Sequence, residues 1–282
     1  MTPEELLAAL EARGATLTAV DGKLRLRAAR GAVPSELQAQ IAAQKAELLT
    51  LLTAPALPDE AFAPFPLTDV QEAYLVGGTD DFVLGGVDCH LYGEYERVGL
   101  DVARLAAAWQ ALVDHHAQLR TVVEPHGQRV LREVPPASIP VHDLRAVPES
   151  AREAALEAAR TRLSNRRVPH GAWPMNAVEV SLLPGDRARV HVDFHLGQTD
   201  AAGLAQLFVD WGRLYGEPGL ALPPPPLSFR DYVLQARAAR GRPSWQASAA
   251  WWRERLRTLP PAPALPLAAD PAAVSPPRFV RH

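Results

Sequence analysis

The chain has 282 residues, with 29 Lys and Arg against 32 Asp and Glu and a formal net charge of −3. This length allows one or two domains, and the charge excludes the strongly basic surface typical of nucleic-acid-binding proteins. The single cysteine, Cys89, excludes an internal disulfide framework and favours a reducing compartment. The acidic N-terminus is unlike a signal peptide, and no apolar run approaches the about 20 residues that cross a bilayer. We therefore expect a cytoplasmic protein with neither a nucleic-acid nor a membrane partner.

Residues 1–53 predict a small domain made of a helix, a hairpin and further helices. A Thr-Pro pair at positions 2 and 3, with Glu three residues after the Thr, is typical of a helix start. The dipeptide Asp21-Gly22 between two alternating segments predicts a hairpin. The second strand places Leu24 and Leu26 on one side. Its other side carries a basic row of Lys23, Arg25 and Arg27.

The sequence LLAALEARGATLTAVDGKLRLRA closely resembles the N-terminal docking domain first described in tubulysin synthetase. The resemblance implies that residues 23–27 accept a linear motif from the C-terminus of an upstream synthetase by strand addition. The basic row would then pair with acidic side chains of that peptide and give selectivity. Residues 54–64, rich in Pro and acid, predict a tethering linker. The alternative is a small structural subdomain packed on the rest of the chain.

The segment FPLTDVQEAY, residues 65–74, is the most specific motif of the chain. Thr68 or Asp69 is placed to cap a short helix here. The pattern F-P-L-T-x-x-Q-x-A-Y resembles the opening signature of heterocyclization domains, a branch of the condensation superfamily of nonribosomal peptide synthetases. Under this resemblance, residues 65–282 are the first lobe of such a domain, with a chloramphenicol-acetyltransferase-like fold. The predicted fold class is α+β.

Residues 190–203, VHVDFHLGQTDAAG, carry the candidate site. The two-residue alternation predicts a strand, and the spacing from Asp200 onward predicts an amphipathic helix. The pattern resembles the superfamily's HHxxxDG motif, or DxxxxD in the heterocyclization branch. His195 stands where that branch has its first Asp and Asp200 stands at the second, so both are candidate catalytic residues. Leu196 occupies the position of the working His of ordinary condensation domains, and a Leu cannot move a proton.

Two other interpretations of this strand are a metal site and a purely structural His–Asp hydrogen bond. His191, Asp193 and His195 share one face, but no further ligand stands out, so we predict no metal. Arg120 lies in a Leu-Arg-Thr-Val segment that matches a second motif of the superfamily. We expect Arg120 to pair with Asp200 and so support the loop. In the superfamily, that Asp mainly organises the loop.

The resemblance implies substrates tethered to the phosphopantetheine of partner carrier proteins, with no cofactor bound directly. A complete relative joins a carrier-bound acyl group to carrier-bound Cys, Ser or Thr and closes a thiazoline or oxazoline. The second lobe of such a domain is not found in this sequence, so we expect the chain alone to dock a partner without catalysis. The alternatives are a split enzyme completed by another chain, a degenerate or non-catalytic interaction module, and an unrelated acyltransferase that uses His195 as a base.

Overall fold

A computed structural model describes residues 2–20, 23–29, 31–53, 60–81, 85–225, 227–261, 263–264 and 266–274. These residues form two compact units, one within 1–58 and 225–266, the other within 59–224 and 267–282. The α+β fold class and the predicted order of a docking domain followed by a condensation-type lobe are confirmed. None of the helices in the described ranges is long and apolar enough to cross a membrane.

The first unit begins with a helix whose start the sequence predicts correctly. Thr2 accepts the backbone N–H of Glu5, whose carboxylate accepts the N–H of Thr2 in return. The elements of this unit are α1 (Pro3–Glu11), β1 (Thr16–Val20), β2 (Lys23–Arg27), α2 (Ser35–Ala43), α3 (Lys45–Thr53), α8 (Phe229–Ala239) and α9 (Pro243–Leu256). Strands β1 and β2 are antiparallel, with Thr18 opposite Arg25. The predicted turn at Asp21-Gly22 and residues 54–59 of the predicted linker lie outside the described residues.

The core of this unit is small and aliphatic. Helix α1 contributes Leu6 and Leu10, which are fully buried, and α3 contributes Leu48. They pack with Leu17 of β1 and Leu37 of α2. Burial of apolar surface stabilises a fold by roughly 25 cal/mol per Å², so these contacts hold the hairpin against the helices. Strand β2 lies at the edge of the hairpin.

The second unit contains a four-stranded sheet in the order β3-β8-β7-β6. Its strands are β3 (His90–Val98), β6 (Val141–Asp143), β7 (Asn176–Leu183) and β8 (Arg187–His195), and a separate hairpin is formed by β4 (Thr121–Glu124) and β5 (Gly127–Val130). Its helices are α4 (Asp69–Gly77), α5 (Val102–His115), α6 (Glu149–Ser164) and α7 (Ala201–Gly216). Strand β8 is antiparallel to both neighbours, whereas β6 and β7 are parallel.

The two faces of the sheet differ in chemistry. One face carries the core, in which strand residues such as Val192 and Phe194 pack with Trp109 of α5 and with Leu207 and Trp211 of α7. The opposite face is polar. It carries Glu179, Ser181, His191, Asp193 and, from β3, His90, Tyr92 and Glu94. Helix α6 packs on this polar face, so it shields these polar side chains from water.

Candidate functional site

The candidate site begins where β8 ends and α7 starts. Asp200 is the N-cap of α7, and its Oδ1 accepts the N–H of Gly203 at 2.7 Å. This bond satisfies one of the free N–H groups at a helix start, and the negative charge is favourable there. Asp200 is exposed. The contact stabilises the start of α7, and the roles of Asp200 in catalysis and in organising the loop stay predictions.

Two glycines allow the loop to close tightly. A Cβ on Gly203 would lie 2.5 Å from Oγ1 of Thr199, and a Cβ on Gly197 would lie 2.8 Å from Nδ1 of His195. Both distances are shorter than van der Waals contact. A larger residue at either position would force the side chain of Thr199 or of His195 to move.

His195 is buried at the end of β8, with 8% of its surface exposed. Its Nδ1 accepts the N–H of Gly197 at 2.9 Å, and its Nε2 lies 3.8 Å from Oδ2 of Asp88. Burial lowers the pKa of His195 from its ordinary value, because the interior disfavours the cation. The carboxylate of Asp88 also accepts the N–H of Val168 at 2.6 Å.

A cavity of about 490 Å³ opens beside this histidine. Helix α4 contributes Tyr74 and Leu75 to its wall, and the strand end contributes His195. Asp88 and His170 add polar groups to the same wall. The volume falls in the range of small-molecule pockets, and the cavity lies beside His195, which makes it a candidate binding site of this unit.

The motif FPLTDVQEAY is joined to the site through Gln71. This side chain is 5% exposed, and its Nε2 donates to the carbonyl of Gly197 at 2.7 Å and to Oε1 of Gln128 at 2.8 Å. Its Oε1 accepts the N–H of Thr68, the N-cap of α4, at 2.9 Å. Gln71 therefore links the start of α4 to the loop after β8. Sequence reasoning used Gln71 as part of a motif but assigned it no role, because Gly197 is 126 positions away.

The polar face under α6 is a hydrogen-bonded network. Asp193 lies 2.5 Å from Nδ1 of His90 and accepts from Nε of Arg166 at 2.7 Å. The hydrogen bond to Asp193 raises the pKa of His90. The ring of His191 bonds to the hydroxyls of Tyr92 and Ser181, at 2.8 and 3.1 Å, while burial lowers its pKa. These groups hold β3, β7, β8 and α6 together and do not line the cavity.

Arg120 does not pair with Asp200, so the ion pair expected between them is not formed. Its Nη1 donates to the carbonyl of Arg132 at 3.4 Å, whereas the carboxylate of Asp200 accepts from the helix backbone. An N-cap carboxylate already has a partner with partial positive charge, so the loop needs no cation. A supporting role of Arg120 stays a prediction.

The residues predicted for docking lie on β2. Lys23, Arg25, Leu26 and Arg27 are exposed, and Leu24 is partly buried against the small core. Among the described residues, β2 pairs with β1 alone. The other edge of an antiparallel strand directs alternate N–H and C=O groups outward, which can pair with a further strand.

Models of the TubC N-terminal docking domain and the condensation domain match residues 4–53 and 91–277, respectively. The chain is 39% identical over 278 residues to pyochelin synthetase PchF of Pseudomonas aeruginosa (strain UCBPP-PA14), covering 96% of this chain and 15% of that protein. It is 37% identical over 215 residues to phenyloxazoline synthase MbtB of Mycolicibacterium paratuberculosis, covering 74% and 18%.

Among solved structures, the EpoB cyclization-docking bidomain of Sorangium cellulosum superposes with a TM-score of 0.75 at 34% identity, covering 97% of this chain and 56% of that chain. The chain thus spans about half of that bidomain and a small part of each synthetase. It belongs to the condensation-domain family of nonribosomal peptide synthetases and begins with a docking domain of the TubC type.

Proposed function

We propose that this chain is part of a nonribosomal peptide synthetase, docks an upstream partner and contributes to a heterocyclization-type condensation domain. The main support for the proposal is the hydrogen bond from Nε2 of Gln71 to the carbonyl oxygen of Gly197. It joins the signature that resembles heterocyclization domains to the loop that carries the HxxxxD motif. The names of two similar proteins, a cyclization-docking bidomain and a phenyloxazoline synthase, support the same branch.

In the proposed reaction, the amine of carrier-bound Cys, Ser or Thr attacks the thioester carbonyl of a carrier-bound acyl group. An amide forms, and the thiol of the upstream carrier leaves. The side-chain thiol or hydroxyl then attacks the new amide carbonyl, and loss of one water yields the thiazoline or oxazoline. Both substrates ride on phosphopantetheine arms of partner carrier proteins, and no metal or diffusible cofactor takes part.

Within this scheme, Asp200 shapes the loop and His195 occupies the other motif position beside the cavity. Leu196 is partly exposed next to them and has no group that can move a proton. The 282-residue chain supplies the docking domain and the motif loop, and the complete reaction needs the remainder of the domain, in the same or another polypeptide.

The proposal is tested by mass spectrometry of the carrier-bound product. A synthetase that contains this chain is incubated with an acyl-loaded upstream carrier and a Cys-loaded downstream carrier. We expect a product that lacks one water relative to the linear amide. A linear amide as the only product would place the domain in the ordinary condensation branch. If both carriers stay loaded and no product forms, the chain would be assigned to a non-catalytic interaction module.

A separate observation supports the docking role: the basic row is exposed, and it lies beside an edge of β2 that pairs with no strand in the described part of the chain. We propose that this edge takes up a C-terminal linear motif of an upstream synthetase, with acidic side chains facing Lys23, Arg25 and Arg27. Backbone pairing would supply affinity, and the charges would select the partner.

Calorimetric titration of the chain with C-terminal peptides of upstream synthetases tests this role. We expect saturable binding that weakens as salt rises, because the pairing charges are exposed. The double variant Lys23→Glu with Arg25→Glu should weaken binding about tenfold, since it reverses two charges worth up to about 1 kcal/mol each. Arg253→Glu, an exposed position on α9, is the matched control. Absence of binding would mean that residues 1–53 are a structural subdomain without a docking role.

A further inference from the structure

The hydrogen bond at Nδ1 determines where the proton of His195 lies. A backbone N–H can only donate, so Nδ1, which accepts the N–H of Gly197 at 2.9 Å, presents a lone pair. A neutral imidazole then carries its hydrogen on Nε2. The Nε2 atom lies on the side of Asp88, and both side chains line the cavity of about 490 Å³. The ring therefore offers a donor to the cavity.

Asp88 places an acceptor next to that donor. Its Oδ2 lies 3.8 Å from Nε2 of His195, and each of the two side chains is 11% exposed. The N–H of Val168 holds the same oxygen at 2.6 Å, which fixes the carboxylate in place. The distance between Nε2 and Oδ2 is too long for a direct hydrogen bond. The pair can therefore accept a ligand that brings both an acceptor and a donor.

The surroundings keep the ring neutral at physiological pH. Burial lowers the pKa of His195, and the cations of His90 and Arg166 act in the same direction, while Asp88 and Asp193 oppose them. The remaining titratable or charged groups that line the cavity are Tyr74, Asp80, Arg167 and His170. Protonation of Nδ1 would break its hydrogen bond from the N–H of Gly197, so the geometry disfavours His195 as a general base.

We propose that His195 and Asp88 bind the aminoacyl group of the acceptor substrate. The Nε2–H of His195 donates to the carbonyl oxygen of an α-aminoacyl thioester, and the carboxylate of Asp88 accepts from its α-amine. The amine and the carbonyl are on neighbouring carbon atoms, so one aminoacyl group reaches both partners. This inference rests on the proposed function, because it assigns a substrate class to the same cavity.

A first experiment on the 282-residue chain needs no activity. Long-range proton–nitrogen correlation spectra of the ¹⁵N-histidine-labelled chain report the tautomer and charge of each ring, and the His195→Gln variant identifies the signal of His195. We expect the Nε2–H tautomer at neutral pH, with protonation only below the ordinary range of histidine. An Nδ1–H tautomer, or a cationic ring at neutral pH, would overturn the proposal.

A second experiment measures binding of a stable probe, the amide analogue of seryl-pantetheine in which nitrogen replaces the thioester sulfur. Its N-acetyl form lacks the free amine and serves as the comparison probe. The chain should prefer the free amine by about tenfold, since hydrogen bonds to charged groups are the stronger class. The variant Asp88→Asn should abolish this preference. Equal affinity for both probes, or no binding of either, would overturn the proposal.

Two substitutions of His195 separate the donor from a loop-positioning role. His195→Gln places an amide near the position of Nε2 and keeps a donor toward the cavity. His195→Asn places its amide near the position of Nδ1 and keeps only the bond to Gly197. We expect Asn to weaken the free-amine probe about tenfold and Gln to stay within about threefold of the unsubstituted chain. The reverse order would assign His195 to positioning of the loop and overturn the proposal.

His126→Gln is the matched control, because His126 is exposed and does not line the cavity. Failure of the proposed function remains distinguishable from failure of this inference. The tautomer and the preference for the free amine are measured without turnover, whereas heterocyclization is read from the mass of the carrier-bound product. If the product is a linear amide and the free-amine probe still binds, His195 and Asp88 would bind the aminoacyl group in an ordinary condensation site. The binding role would then stand, and the heterocyclization role would fail.

Discussion

Strands β2 and β8 share the same two-residue alternation of polar and apolar side chains but use it in opposite ways. On β2, the polar row Lys23, Arg25 and Arg27 is exposed. On β8, the polar row contains His191 and Asp193, which are 0% and 2% exposed under α6. Alternation shows that the two faces of a strand differ. It does not show which face meets water, because a distant helix can cover the polar one.

The difference has energetic consequences. Exposed charges contribute about 0–1 kcal/mol each to stability and stay available to a partner. Buried charges are costly unless they are paired, so each needs a partner within the fold. Asp193 accordingly contacts both His90 and Arg166, and Glu179 contacts both His142 and Arg162.

The largest effect is expected for Asp193→Ala. The substitution leaves Arg166 and His90 under α6 without their carboxylate, which should lower the free energy of unfolding by about 3–5 kcal/mol. Urea unfolding followed by far-UV circular dichroism measures the change. Asp143→Ala is the control, because Asp143 pairs with Arg145 at the surface and is 52% exposed, so its loss should cost under about 1 kcal/mol. Equal losses in the two variants would mean that the polar face is effectively solvated.

A smaller loss is expected for Gln71→Ala. The carbonyl of Gly197 and the amide of Gln128 would lose a buried partner, at a cost of about 1–3 kcal/mol. Gln246→Ala, on the exposed surface of α9, should stay within about 0.5 kcal/mol. Urea unfolding again provides the measurement. If Gln71→Ala is as mild as the control, the motif does not support the loop and the observation behind the proposed branch fails.

The local parts of the site could be predicted from the sequence, and the distant contacts could not. The caps at Thr2, Thr68 and Asp200 depend on residues three positions away, so the residue types alone predict them. The bond from Gln71 to Gly197 spans 126 positions, and the approach of Asp88 to His195 likewise depends on the tertiary fold. The expected pair of Arg120 with Asp200 is not formed: Arg120 donates to the carbonyl of Arg132, and Asp200 accepts from the start of α7.

Asp200→Ala should cost about 1 kcal/mol, the usual contribution of an N-cap. Asp200→Asn should retain most of that stability, because an amide oxygen can still accept the N–H of Gly203. If the residue only organises the loop, the Asn variant in a synthetase that contains this chain also keeps turnover within about threefold. Full stability with a loss of turnover of about a hundredfold or more would instead assign the carboxylate to catalysis.

The pH dependence of stability should show two histidines with opposite signs on the covered face. The pKa of His90 is raised by its bond to Asp193, so its stabilisation is complete below the unfolded value of about 6.5 and is lost as pH rises through the folded value. The pKa of His191 is lowered by burial, so it destabilises the fold as pH falls below about 6.5. Urea midpoints across pH should show the alkaline loss reduced in His90→Gln and the acid loss reduced in His191→Gln.

The smallest effect on stability is expected for alanine at Lys23, Arg25 and Arg27 together. These side chains are exposed, and none forms an ion pair with another described residue, so the free energy of unfolding should change by about 0.5 kcal/mol or less. The same variant should reduce the salt dependence of peptide binding, because the charges that salt screens are gone. A loss of stability comparable to that of Asp193→Ala would mean that the basic row belongs to the internal network of the fold. The polar rows of β2 and β8 would then both be paired within the fold. The docking proposal would lose the free charges on which it depends.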